Sequence, residues 1–182
     1  MEINPHVTVV PLAERITAAN ALELIGQYDI VADGCDNFAT RYLVSDACFF
    51  AKKPLVSAAV GQFTGQLSVF KPYERDQDGR PLPGYRDLLP EAPPPGSAPS
   101  CAEAGIIGAL PGVMGALQAM EVIKEILGLG ASLAGWLVLY DALETEFMKI
   151  RLSWKEDNPL TGIHPSIHDL SLHEYAKHST CG

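Results

Sequence analysis

The stretch Asp33-Gly34-Cys35-Asp36-Asn37 places two carboxylates, a thiol and a carboxamide within five residues, directly after an apolar run and directly before a helical pattern. At the carboxyl end of a strand in a parallel sheet, carboxylates can hold a hard cation and the phosphates attached to it. Asp36 and Asn37 are equally suited to cap the helix that follows, because their side-chain oxygens accept from its first free backbone amides. The spacing leaves both roles open. A second candidate is Cys101, in Pro99-Ser100-Cys101-Ala102-Glu103-Ala104-Gly105, where a proline-rich stretch meets a helical segment. A helix N-terminus favours thiolate over thiol, while Glu103 opposes the same charge. Cys101 is therefore either a reactive thiol or a small core residue. Cys35 and Cys48 fit core or strand-end positions. His164 and His168 have i, i+4 spacing, but no cysteine pair or carboxylate joins His164, His168, His173 and His178 in a metal-binding order. A solvated tail is the reading they support.

The elements that must position these groups follow from apolar spacing. Tyr28 to Gly34 contains a buried-strand pattern and leads into a helix from Asn37 to Phe50. Before it, Val7 to Val10 is a β-branched run, and Thr17 to Ile25 predicts a short helix stopped by Gly26. Pro54 to Val60 predicts a second buried strand, and Gly65 to Phe70 alternates as a half-exposed one does. Strands alternating with helices imply an α/β fold with a Rossmann-like, mostly parallel sheet. Eight of the fourteen prolines fall between Pro72 and Pro99, which predicts a long crossover loop without regular structure over 72–100. Compact domains keep such loops chiefly for function. From Val113 the spacing of Met114, Leu117, Met120, Ile123, Ile126 and Leu127 is helical, with Gly128 as the stop. The uncharged stretch Ala104 to Met120 is interrupted by glycines, Pro111 and Gln118, so it reads as a buried or subunit-interface helix rather than a membrane span. Trp136 to Asp141 and Glu146 to Leu152 predict a hairpin. Residues 153–182 form a polar tail, either wrapped on the domain or free.

The whole chain bounds what these candidates can serve. Its 182 residues carry 13 Lys+Arg against 22 Asp+Glu, a net charge of −9, with 47% apolar residues. That is one globular domain whose charge repels nucleic acid and anionic lipid. Four cysteines without a Cys-x-x-Cys pair, and an N-terminus without a signal-peptide pattern, predict reduced thiols and a cytoplasmic setting. No Gly-x-Gly-x-x-Gly or Walker A sequence is present. An ordinary nicotinamide dehydrogenase therefore fits the α/β pattern and nothing more.

Three motifs in order carry a resemblance: Asp33 to Asn37 with Arg41, the segment Pro83 to Gly96, and Ser100 to Gly105 followed by Gly108 and Pro111-Gly112. Together they resemble the MoeB/ThiF/HesA family, bacterial relatives of the ubiquitin-activating enzymes, over Ile3 to about Leu152. The resemblance implies a ThiF/MoeB-like adenylation domain over residues 1–152 and a tail over 153–182. It implies ATP and magnesium as cofactors and adenylation of the C-terminal glycine of a ubiquitin-fold sulfur-carrier protein ending in Gly-Gly, in a molybdopterin or thiamine type pathway. A homodimer is implied too. On the same resemblance Asp36 helps hold magnesium and phosphates, Asn37 lies beside it in the ATP site, and Cys101 matches a cysteine that in some members links covalently to the carrier.

The resemblance also has gaps. Relatives hold a structural zinc with two Cys-x-x-Cys pairs; here Gly84, Asp87, Asn158 and Thr161 stand in those places, so no zinc is expected. The family's Gly-rich ATP loop precedes the point that Met1 matches, so the chain is expected to be the C-terminal portion of such a domain. The alternative reading is a non-catalytic carrier-binding or dimerisation module from the same family.

Overall fold

The apolar runs that predict buried strands meet in one five-stranded sheet. A computed structural model of the chain describes residues 4–93, 105–171 and 175. Within it the elements are α1 (Ala21–Gly26), β1 (Val31–Asp33), α2 (Phe38–Ala51), β2 (Leu55–Val60), β3 (Thr64–Phe70), α3 (Tyr85–Leu88), α4 (Ala109–Leu127), β4 (Trp136–Asp141) and β5 (Glu146–Arg151). The strand order is β1-β2-β3-β4-β5.

The expectation of a mostly parallel sheet needs correction. Only β1 and β2 pair in parallel, with Val31 opposite Leu55 and Asp33 opposite Ser57. The pairs β2–β3, β3–β4 and β4–β5 are antiparallel. Connection length explains the first and last of these. Residues 61–63 and 142–145 are too few to cross over a sheet, so the strands they join must fold back as hairpins, whereas α2 gives β1 to β2 the length a parallel crossover needs.

Each face of the sheet carries its own core. On one side α1 and α2 pack with Leu55, Phe70 and Tyr85 around Tyr42, Leu43, Ala47 and Cys48. On the other, Leu110 and Met114 of α4 pack on Val56, Ala58, Leu67 and Val69. Gly65 is required here, because a Cβ on it would lie 2.3 Å from the Met114 sulfur. α2 is buried from Tyr42 through Cys48, which leaves Ser45 and Asp46 inside with the apolar residues.

Residues 72–93 of the proline-rich stretch are also more ordered than their composition predicts. Arg75 bridges Pro81, and the single turn α3 is buried at Tyr85, Arg86 and Asp87. Arg86 donates to both carboxylate oxygens of Asp46, at 2.9 and 2.7 Å, and stacks 4.7 Å from the Tyr42 ring centre. Burial alone would weaken the guanidinium's hold on its proton, but the bonds to Asp46 outweigh it and raise its pKa above the ordinary value.

The described residues of the polar tail, 153–171 and 175, pack on the domain. Asn158, Leu160, Ile167, Leu170 and Tyr175 are buried, and the Tyr175 hydroxyl donates to Asp46 Oδ2 at 2.8 Å. The Lys155 amide donates to Asp87 Oδ1 at 2.8 Å. At the other end of the chain, Val7, Val9 and Val10 are exposed and join no strand, despite their β-branched types.

Candidate functional site

β1 is three residues long and stops at Asp33, so the chain turns at once into α2. Asp33 Oδ1 accepts from the Cys35 amide at 2.9 Å and closes that turn. Asn37 takes the cap: its side-chain oxygen accepts from the Thr40 amide at 2.9 Å, with extended backbone at φ −131° and ψ 145°. Asp36 is exposed, and its Oδ1 accepts from Asn37 Nδ2 at 3.3 Å. Asn37 is therefore the helix cap, and Asp36 presents an exposed carboxylate beside it.

Two side chains from opposite helices hold the turn. Arg41 of α2 lies 3.6 Å from Asp33 Oδ2, donates to the Ala58 carbonyl at 3.2 Å and donates to the Cys35 carbonyl. Gln118 of α4 donates from Nε2 to the carbonyls of Asp33 and Val56, both at 2.9 Å. The motif that contains Asp36 also pointed to Arg41; Gln118 was legible only as a break in an uncharged helix. A lone amide on the sheet-facing stripe of such a helix was the signal available.

The thiol in the motif is held in its protonated form. Burial, the bond to Asp33 and the Asp33 charge push the Cys35 pKa up to about 12, so it stays protonated at neutral pH. Burial does the same to Cys48, also to about 12. Cys101, with Glu103 beside it, lies outside the described residues, as do His173 and His178. His164 and His168 are exposed and not helical. Among the described residues no three His, Cys, Asp or Glu side chains group as metal ligands.

At the positions matched to the family's zinc cysteines, the Asp87 carboxylate accepts from the Gly84 and Lys155 amides, each at 2.8 Å. Asn158 Oδ1 accepts from the amides of Leu160 at 2.8 Å and Thr161 at 3.1 Å. The Thr161 hydroxyl oxygen is buried without a partner. Among the described residues no helix is long and apolar enough to cross a membrane.

A strand-turn-helix unit on a mixed sheet with a helical layer and core on each face defines an open α/β domain. The ThiF family model matches residues 1–161, and the chain belongs to the ThiF family. It is 47% identical over 172 residues to the sulfur carrier protein adenylyltransferase of Thermus thermophilus, covering 94% of this chain and 63% of that protein. It is 45% identical to the adenylyltransferase and sulfurtransferase MOCS3 of Bos taurus, over 99% of this chain and 37% of that protein. It is likewise 45% identical to the probable adenylyltransferase/sulfurtransferase MoeZ of Mycobacterium tuberculosis, over 86% of this chain and 39% of that protein. The chain thus spans well under the full length of these relatives. Its fold is that of E. coli MccB, whose crystal structure with MccA-N7isoASN superimposes with a TM-score of 0.66 at 17% identity, over 83% of this chain and 46% of that one.

Proposed function

We propose that the chain is the carrier-facing portion of an ATP-dependent adenylyltransferase that acts on the C-terminal glycine of a ubiquitin-fold sulfur-carrier protein. The observation that carries this reading is the exposed Asp36 carboxylate, set at the end of β1 against the capped start of α2. The Thermus relative, named as a sulfur carrier protein adenylyltransferase, supports the substrate class. In the reaction a terminal carboxylate oxygen of the carrier attacks the α-phosphorus of ATP, a P–O bond to the carboxylate forms, and the bond to pyrophosphate breaks. Magnesium suits the residues present, because a single open carboxylate with phosphate oxygens is the donor set this hard cation takes. When bound it supplies neutralisation of phosphate charge.

Asp36 would hold that cation, Asn37 would fix the carboxylate's direction through Nδ2, and the start of α2 would add its positive end. Cys101 enters this reading as the thiol for a covalent link to the activated carrier. No zinc belongs to it. A homodimer would be seated on α4, whose exposed face carries Val113, Met120, Ile123, Ile126 and Leu127 and no charge. A cytoplasmic setting and a molybdopterin or thiamine type pathway complete the proposal.

The second reading, a carrier-binding or dimerisation module without chemistry, is favoured by one observation, the exposed uncharged face of α4. ATP–pyrophosphate exchange with a Gly-Gly carrier separates the two. Under the enzyme reading Asp36→Asn lowers exchange by roughly 100-fold or more, the scale of losing one preorganised electrostatic contact, with Tm unchanged because Asp36 is exposed. Exchange that is unaffected by the substitution rules out the role of Asp36, and wild-type chain that binds carrier without exchange supports the module.

A further inference from the structure

β1 is three residues long, and the turn that presents Asp36 begins at its last residue. Among the described residues, the side chains that reach that end from α2 and α4 are Arg41 and Gln118. Gln118 lies on the stripe of α4 that faces the sheet, four residues after buried Met114 and three before buried Glu121. A leucine there would pack without any polar group to satisfy. Instead the glutamine directs one nitrogen at two carbonyls, using both of its hydrogens, and those carbonyls belong to adjacent strands: Asp33 of β1 and Val56 of β2. It is a strut tying the short strand β1 to β2 at the point where the turn leaves the sheet.

We propose that Gln118 is a positioning residue for Asp36. This rests on the adenylation reading. Gln118 makes no contact with Asp36 and acts through the backbone of residues 33–35, which Arg41 grips from the opposite helix at the Asp33 carboxylate and the Cys35 carbonyl. With the strut removed, the turn keeps the Arg41 contacts but loses its fixed distance from β2, so Asp36 shifts relative to phosphates held elsewhere. Displacements on the scale of an ångström cost an active site roughly 100-fold.

The test is Gln118→Met, which keeps length and volume and removes both donors, read by amide hydrogen exchange and by ATP–pyrophosphate exchange with a Gly-Gly carrier. The Cys35 amide, whose acceptor is Asp33 Oδ1, is expected to exchange roughly ten-fold faster while the amides of β4 and β5 keep their rates. The magnesium concentration for half-maximal pyrophosphate exchange is expected to rise roughly ten-fold or more. Unchanged Cys35 exchange overturns the proposal, as does equal acceleration across β4 and β5, which marks general loosening. Faster Cys35 exchange with unaltered magnesium dependence overturns it too. Wild-type chain without pyrophosphate exchange sinks the adenylation reading alone, and the amide rates then decide whether Gln118 holds this turn.

Discussion

Replacing Asp46 by Asn tests whether one buried carboxylate secures both the proline-rich stretch and the tail. Asp46 is 0% exposed and accepts from Arg86 Nε, Arg86 Nη2 and the Tyr175 hydroxyl. Asparagine keeps the shape but turns a donor toward the guanidinium, leaving Arg86, 4% exposed, as an uncompensated charge. Breaking a buried pair from one side costs about 3–5 kcal/mol, a large share of the 5–15 kcal/mol that holds an ordinary domain. With a urea slope of about 2 kcal/mol per molar, the unfolding midpoint should fall by about 1.5–2.5 M. Tyr175→Phe removes one bond and should cost about 1 kcal/mol. The double variant Asp46→Leu, Arg86→Met removes both charges together and should recover most of the loss, because an apolar pair of similar volume replaces an ion pair at little cost. A loss below 1 kcal/mol for Asp46→Asn, or strict additivity of the two charge removals, would refute this account.

Alkaline unfolding provides another test. Tyr42, Tyr85 and Tyr175 are 3%, 7% and 8% exposed. Burial raises the pKa of each, that of Tyr85 to about 12 and the other two further. The folded state keeps these protons while the unfolded chain releases them near pH 10, so their stabilisation is complete below pH 10 and is lost as pH rises above it. At pH 11 each costs about 1.4 kcal/mol, about 4 kcal/mol in all, measurable as a lower urea midpoint than at pH 8. Full tyrosinate absorbance near pH 10 in protein that is still folded would contradict it. Gly65→Ala should destabilise by about 1–3 kcal/mol through overpacking against Met114, which is 1% exposed, and Met114→Ala should relieve part of that cost. A thermal scan in which Gly65→Ala melts with the parent would remove the contact as a constraint.

Several elements were legible because their signals are local. The runs at β2 and β3, the Asn37 cap and the Gly128 stop each depend on neighbours within a few residues, and the structure has them within a residue or two of the expected places. Strand direction was not carried by the apolar runs, since a buried strand looks alike in either sense. The three-residue link at 61–63 held that information. α3 is a single turn, too short for a period to show, and its partner Asp46 lies forty positions away in sequence. The tail looked solvated by composition because its anchors, Leu160, Ile167, Leu170 and Tyr175, follow no helical or strand spacing. At the site, residue types named Asp36 and Asn37, and the family resemblance added Arg41. The strut from Gln118 spans 85 positions to Asp33 and no spacing rule reaches that far.

α3 makes the proline-rich crossover two spans in series. Arg86 is moored to α2 and its neighbour Asp87 to the tail, so this one turn is pinned from two directions. A displacement of Leu89 has to break the Asp46 and Lys155 bonds before it moves residues 72–83.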